Sequence, residues 1–368
     1  MDLMQSKSKS MFSLMREAKS CWAYSYTKLT FPFLFGFGGS TKELIKGTKF
    51  RWRYFFNIVI SAIAGILIFV LVFGVRVINP TYIDWLLGET DSFQHYIGWQ
   101  FYRKSEWQPI VGMFDKISYP NSISIVFLDS IPLVAVPLKI FSDFLPVRFQ
   151  YFGMWAVFSF ALQSIFGMLI TRKYTGDGIS AVIGGMLFTL TPVMINRTLW
   201  HTSLVSHWLI LISITLYVYI ENMRSKKTQL LIWFLLGILI AGVHLYFYPI
   251  CLFFCFMYVL KLFFITDKQK ILALLNPIGL SAGVIINLFF LGGFLSEAHF
   301  GSTDVRKCGV NLLCLINSRG TSDFIPEIEI YRDYVGGEGY AYLGLGVICL
   351  LITAVVISVK EIIAKRKN

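Results

Sequence analysis

The residues with the most chemical potential lie in the stretch that follows the first long apolar run, GETDSFQHYIGWQFYRKSEWQPIVGMFDKISYPNSISIVFLDSIP. Asp91 and His95 stand four residues apart there, and on a helix that spacing puts both side chains on one face. Asp129 closes the stretch just before the chain turns apolar again. An aspartate at such a boundary can serve as general base toward a hydroxyl nucleophile, or as ligand to a divalent cation such as Mg or Mn. Structural roles compete with these. Asp91 could be a solvated loop acid or a helix N-cap, and Asp129 could cap a short helix beginning at Ser130, Ile131 and Pro132.

A second dense place reads TPVMINRTLWHTSLVSHWLIL. Pro192 ends or bends the apolar run before it, and Asn196, Arg197, His201 and His207 follow. Arg197 is the one formal charge between two apolar runs, and its guanidinium can clamp a phosphate with paired donors. An arginine that meets lipid headgroups is the competing role. His244 sits near the end of another apolar run. The last polar stretch, INSRGTSDFIPEIEIYRDYVGGEGYAYLGLG, adds Arg319 and Glu338, the latter among Gly336, Gly337 and Gly339, which let a ligand approach the backbone closely. Tyr331, Tyr334, Tyr340 and Tyr342 offer flat faces that suit sugar rings, though a membrane-interface belt explains tyrosines equally well. The glycines form no nucleotide-binding fingerprint, and the chain has no metalloprotease motif, zinc-finger spacing or GxSxG elbow.

The elements that position these residues follow from composition. The 368 residues are 56% hydrophobic, 17% aromatic and 15% charged. A soluble domain could not bury that much apolar surface, so the expected class is an all-α integral membrane protein. Apolar stretches near 55–78, 148–170, 179–195, 204–221, 229–248, 249–265, 271–293 and 340–359 predict about eight transmembrane helices. Their continuous rather than alternating pattern favours helices over a barrel. The apolar segment 131–144 carries Pro132 and Pro137 and is short for a crossing, which predicts a re-entrant or interfacial helix, with a ninth span as the alternative. Residues 1–54 form a basic extension whose FPFLFGFGG run is too short to span and has no signal-peptide cleavage pattern. Residues 55–359 form the membrane domain, and 360–368 a basic tail.

The net charge of +12 is distributed as orientation rather than as a nucleic-acid surface. Ten Lys/Arg against three Asp/Glu precede the first span, ending in Lys46, Lys49, Arg51 and Arg53. Basic flanks are retained inside, which predicts cytoplasmic N- and C-termini. Eight crossings put Arg172, Lys173, Lys226, Lys227, Lys268, Lys270 and the final Lys365, Arg366 and Lys367 on that same side. The two long outer loops, 79–147 and 292–339, each hold seven acids and four bases. All five histidines, including His299, then fall at or near the outer side, where long loops carry binding and catalysis. Of six cysteines, only Cys308 and Cys314 lie in an outer loop. A disulfide and two free thiols are both open there.

The order of one span, a long outer loop opening with an acid, a short apolar helix and many further spans resembles the GT-C superfamily of polytopic glycosyltransferases. More closely, TDSFQHYIGWQFYR, LDSIPLVAVPLKIFS, VRFQYFGMW, SHWLIL, NLLCLINSRG and EGYAYLGLG are similar to blocks of a bacterial GT-C-like family of uncharacterised function. The resemblance covers about 55–359. It implies transfer of a sugar from a polyprenyl-phosphate carrier to an envelope glycan or lipid acceptor, at the outer face of a bacterial cytoplasmic membrane. Asp91 takes the position of the catalytic or metal-binding acid. His95, Asp129, Arg197, His201, His207, His244, Arg319 and Glu338 are the expected substrate-binding residues, and membrane lipids the other partner. No adjacent acidic pair follows Asp91. A transporter or flippase for a lipid-linked sugar, or a non-catalytic envelope-assembly scaffold, are the alternatives.

Overall fold

The computed structural model describes residues 41–88, 91–219, 225–265, 273–296, 312–318, 322–328 and 341–367. The chain falls into two compact units, Met1–Ala298 and His299–Asn368. The described residues are mostly helical, with eleven α-helices and one two-stranded hairpin. The FPFLFGFGG run lies outside the described residues.

The first unit is built on α1 (Thr41–Phe73), α4 (Phe152–Thr175), α5 (Gly178–Thr189), α6 (Pro192–Trp200), α7 (Trp208–Val218), α8 (Lys226–Val243), α9 (Phe247–Ile265) and α10 (Leu275–Leu291). Helix α4 packs against α1, α5 and α7, α8 packs against α10, and α9 joins α7 to α10. Aromatic rings fill these seams. Phe69 meets Phe160 edge-on at 5.3 Å, and Trp233 meets Tyr258 at 5.5 Å. Between α8 and α10 the backbones nearly touch: a Cβ on Gly237 would lie 2.1 Å from the Leu280 carbonyl oxygen, and one on Gly283 2.1 Å from that of Phe234. With Gly279 four residues earlier, this is the small-residue spacing that lets helices approach in lipid. Phe56, Ile60, Ile63, Leu67 and Leu71 of α1 face outward, an apolar stripe that water would not tolerate but hydrocarbon does.

Among the described residues three helical segments are long and apolar enough to cross a membrane: Tyr54–Phe73, Phe152–Thr175 and Lys226–Val243. A fourth crossing arises if α5 and α6, bent by 44° at their junction, count as one broken span. Pro192 opens α6 and causes that break, because its ring removes a donor and disfavours helix in the residue before it. Trp208–Val218, Phe247–Phe263, Leu275–Leu291 and Leu345–Lys360 are apolar but shorter. Several of the eight stretches read from hydropathy, but not all, overstate helix length. The run 204–221, for example, begins with a turn, and its helix starts only at Trp208.

The segment between α1 and α4 builds the platform for the site. It holds α2 (Asp91–Lys104), the antiparallel pair β1 (Met113–Phe114) and β2 (Ile123–Ser124), and α3 (Pro132–Ile140). At 1.5 Å per residue α3 is about 14 Å long, half the hydrocarbon thickness of about 30 Å, so it cannot cross. Arg103, buried at the end of α2, binds the turn after α3: Nη1 donates to the Pro146 carbonyl at 2.9 Å, and Nη2 to those of Ser142 (2.8 Å) and Leu145 (3.1 Å). Lys139 of α3 inserts between Tyr102 and Trp107, its Nζ 4.2 and 4.5 Å from the ring centres. This packing fixes the far end of α2 while its first turn carries the candidate chemistry.

In the second unit, Asn317 and Ser318 bind the carbonyls of Ile328 and Ile325, and the Leu343 amide donates to Leu315 ahead of α11 (Leu345–Lys367). Cys314 is a buried free thiol; Cys308 lies outside the described residues.

Candidate functional site

Asp91 occupies the first turn of α2, where the helix dipole favours a negative charge. The same turn is tied to the end of α6, because the Ser92 hydroxyl donates to the Leu199 carbonyl at 2.7 Å. That contact brings His201, the residue that ends α6, to Asp91. His201 Nδ1 lies 2.7 Å from Asp91 Oδ2, and the carboxylate keeps 55% of its surface exposed. The short loop after His201 is anchored on α4 by Trp155, whose indole N–H donates to Ser206 Oγ at 3.0 Å.

One turn along α2, on the same face as expected, His95 is fully buried. Its ring centre lies 6.4 Å from that of His201, and its Nδ1 is 2.8 Å from the Thr202 hydroxyl. Its Nε2 has no hydrogen-bond partner and points toward Asp129, 3.9 Å away. A lone pair facing a carboxylate would be repelled, so the Thr202 hydroxyl donates to Nδ1 and Nε2 carries the proton. Burial holds this imidazole neutral, lowering its pKa from 6.5 to about 4 against the opposing pull of Asp129.

Asp129 does not cap α3. Ile131 takes that position, and the Asp129 side chain turns instead to His244 at the end of α8, with Oδ1 3.0 Å from Nε2. The Tyr246 amide donates to His244 Nδ1 at 3.1 Å, which leaves the ring proton on Nε2, facing Asp129. Burial raises the Asp129 pKa, but the His244 hydrogen bond and the charges around it outweigh that and hold it below the usual 3.8. The turn that presents Asp129 is strained. Asp129 and Ile131 both have left-handed backbones, φ 51° and 50°, and for a β-branched isoleucine that conformation is a true outlier. It is held by the Ser130 hydroxyl, which donates to the His95 carbonyl at 2.7 Å, and by the Tyr151 hydroxyl, which donates to the Ser130 carbonyl. Gly98 lets α2 lie flush on this turn, since a Cβ there would sit 2.7 Å from Ser130 Oγ.

Five residues singled out from sequence, Asp91, His95, Asp129, His201 and His244, thus form one continuous array. Arg197 lies one turn before His201 on α6, and its charge is felt by His207 at the start of α7. His207 packs edge-on against Phe247 at 5.9 Å, the ring that also lies 6.4 Å from His244. Arg319 and Glu338 lie outside the described residues. Thr202 and the Tyr246 amide, which fix the two imidazole tautomers, were missed, although Thr202 is adjacent in sequence to His201. Among the described residues no group of three or more His, Cys, Asp or Glu side chains is arranged to hold a metal ion. His244 Nε2, with its proton committed to Asp129, has no lone pair to offer one. Of the two carboxylates, Asp91 is the more open, 55% exposed against 31% for Asp129.

No curated protein and no solved structure matches this chain. Its sequence matches the family described as Domain of unknown function (DUF6311) over residues 62–368, and the chain belongs to that family.

Proposed function

We propose that the protein is a glycosyltransferase that moves a sugar from a polyprenyl-phosphate donor to an envelope glycan or lipid acceptor, at the outer face of the bacterial cytoplasmic membrane. The observation that carries this reading is the array of two carboxylates and three imidazoles at the ends of apolar helices. A lipid-linked sugar presents its anomeric carbon at that level, with the carrier chain in hydrocarbon and the sugar in water. In this reading the chain crosses the membrane eight times with both ends inside, as the basic inner flanks and acidic long loops favour.

The acceptor hydroxyl gives its proton to Asp91 as its oxygen bonds to the anomeric carbon. The bond from that carbon to the phosphate oxygen breaks, and the carrier phosphate leaves with the electron pair. His201 holds the Asp91 carboxylate in one direction, so the base need not be reoriented in the transition state. Arg197 or His207 steadies the departing phosphate, and the guanidinium can do so with paired donors. A positioned general base contributes about 10²–10⁴-fold. Mass spectrometry of envelope glycans from cells expressing the wild type or Asp91→Asn tests the reading. The variant should lose one sugar from a defined glycan, at wild-type protein abundance in the membrane. Unchanged glycans in the variant refute it.

A further inference from the structure

The array contains an acceptor that the transfer step does not use. Asp129 is 31% exposed and stands between two imidazoles, bonded to one and 3.9 Å short of the other. Its chemistry limits what it can receive. A phosphate would meet the carboxylate's negative charge with no free cation in the pair. A metal ion would need lone pairs, yet both imidazoles turn an N–H toward Asp129: His244 because the Tyr246 amide occupies Nδ1, and His95 because Thr202 does. What remains is a neutral hydrogen-bond donor, and the fixed, anionic, partly open carboxylate accepts it without reorganising. The buried His95 N–H is the independent sign that the arrangement serves a ligand. An unpartnered donor with no exposure is costly, and the backbone strain at Asp129 and Ile131 adds to that cost for the sake of one side-chain direction.

We infer that Asp129, clamped between His244 and His95, is a carbohydrate-recognition subsite that accepts a hydrogen bond from a ring hydroxyl of the transferred sugar. The inference rests on the reading of the array as a sugar-transfer site. It separates two duties along the array: Asp91 with His201 handles the acceptor's proton, and Asp129 with its two histidines selects the sugar by the position of its hydroxyls. An epimer or deoxy sugar that withdraws the bonded hydroxyl leaves the anionic acceptor, closed off from water by the bound sugar, one hydrogen bond short, and a site built to bond a hydroxyl discriminates most against the analogue that lacks it.

The test is direct binding to the full-length protein in nanodiscs by saturation-transfer difference NMR. Probes are the methyl hexosides of glucose, galactose and mannose, their monodeoxy derivatives, methyl phosphate, and Mn²⁺ followed by its paramagnetic broadening. At least one hexoside is expected to bind. Removing one particular hydroxyl, or Asp129→Asn, should weaken it by about tenfold or more, equivalent to about 1.4 kcal/mol, while Asp177→Asn, at the exposed cap of α5 away from the array, binds it as the wild type does. Asp129→Glu, which keeps the charge but displaces it by a methylene, should weaken binding likewise and serves if Asp129→Asn does not fold. Binding of no hexoside, equal binding by the folded Asp129 variants, or Asp129-dependent binding of methyl phosphate or Mn²⁺ overturns the inference. Asp129-dependent hexoside binding with glycans unchanged by Asp91→Asn would instead overturn the transferase and leave the subsite standing. Asp91-dependent transfer without hexoside binding would do the reverse.

Discussion

Lowering the pH is the sharpest perturbation of the array, because its central imidazole is held neutral chiefly by burial. His95 has no exposure, and its pKa in the folded protein is about 4 against 6.5 in an open chain. At pH 7 neither state is protonated and the group contributes nothing. As the pH falls below 6.5 the unfolded chain takes up a proton that the folded chain refuses, so stability drops by about 1.4 kcal/mol per unit until the folded pKa is reached. The total is about 3 kcal/mol, a large share of the 5–15 kcal/mol typical of a folded protein. Asp129 acts in a different window: its folded pKa lies below 3.8, so the stability it contributes is present above that value and lost only in stronger acid. The losses in moderate acid therefore belong to buried imidazoles, His95 among them. Thermal unfolding in nanodiscs between pH 7 and about pH 4.5 should show a steep fall for the wild type and a shallower one for His95→Gln, which keeps the volume and a polar end but cannot titrate. Histidine ¹⁵N shifts on selectively labelled protein provide the second readout, with the Nε2–H tautomer expected for both His95 and His244 near neutrality. Parallel pH profiles for wild type and variant, or a His95 imidazolium signal at pH 6, would refute the argument that desolvation dominates at this residue.

Two further predictions concern the scaffold. Gly283→Leu should push α10 off α8, since even a Cβ meets the Phe234 carbonyl at 2.1 Å; a loss of about 3 kcal/mol or more is expected, read as a lower unfolding midpoint, while Gly346→Leu, where a Cβ meets open space, should leave it unchanged. Arg103→Met should cost about 3 kcal/mol, because three loop carbonyls at Ser142, Leu145 and Pro146 lose their donor together; protease nicking in 142–146 at native pH would report the released turn, and wild-type resistance would contradict the assignment.

The helical class was legible because long apolar runs leave few alternatives, and the bend at Pro192 because proline removes a donor wherever it falls. The pairing of Asp91 with His95 on one face was legible for the same kind of reason: a four-residue spacing is a local property. What hydropathy could not give is where each helix starts. The turn at 202–206 carries no charge and runs on through Leu204 and Val205 into the apolar helix after it, and its conformation is decided by bonds such as Trp155 to Ser206, between residues 51 apart in the chain.

Asp129 shows the same limit more sharply. Sequence offered a cap because the residues after it, Ser130, Ile131 and Pro132, look like a helix start. The local preference loses because a buried histidine at the end of α8 supplies a charge-assisted hydrogen bond to Asp129, and Ile131 takes the cap position instead. The left-handed backbone at Asp129 and Ile131 is the cost of that choice, and a cost of this kind is incurred where a side chain must point one way. Histidine and aspartate are found together in the sequence only as a list of types. Their order in space, with Asp91 beside His201, His95 next and Asp129 against His244, depends on α2 starting where α6 and α8 end. Packing outside the array contributes to that arrangement, as at Gly98, where α2 lies against the turn that carries Asp129.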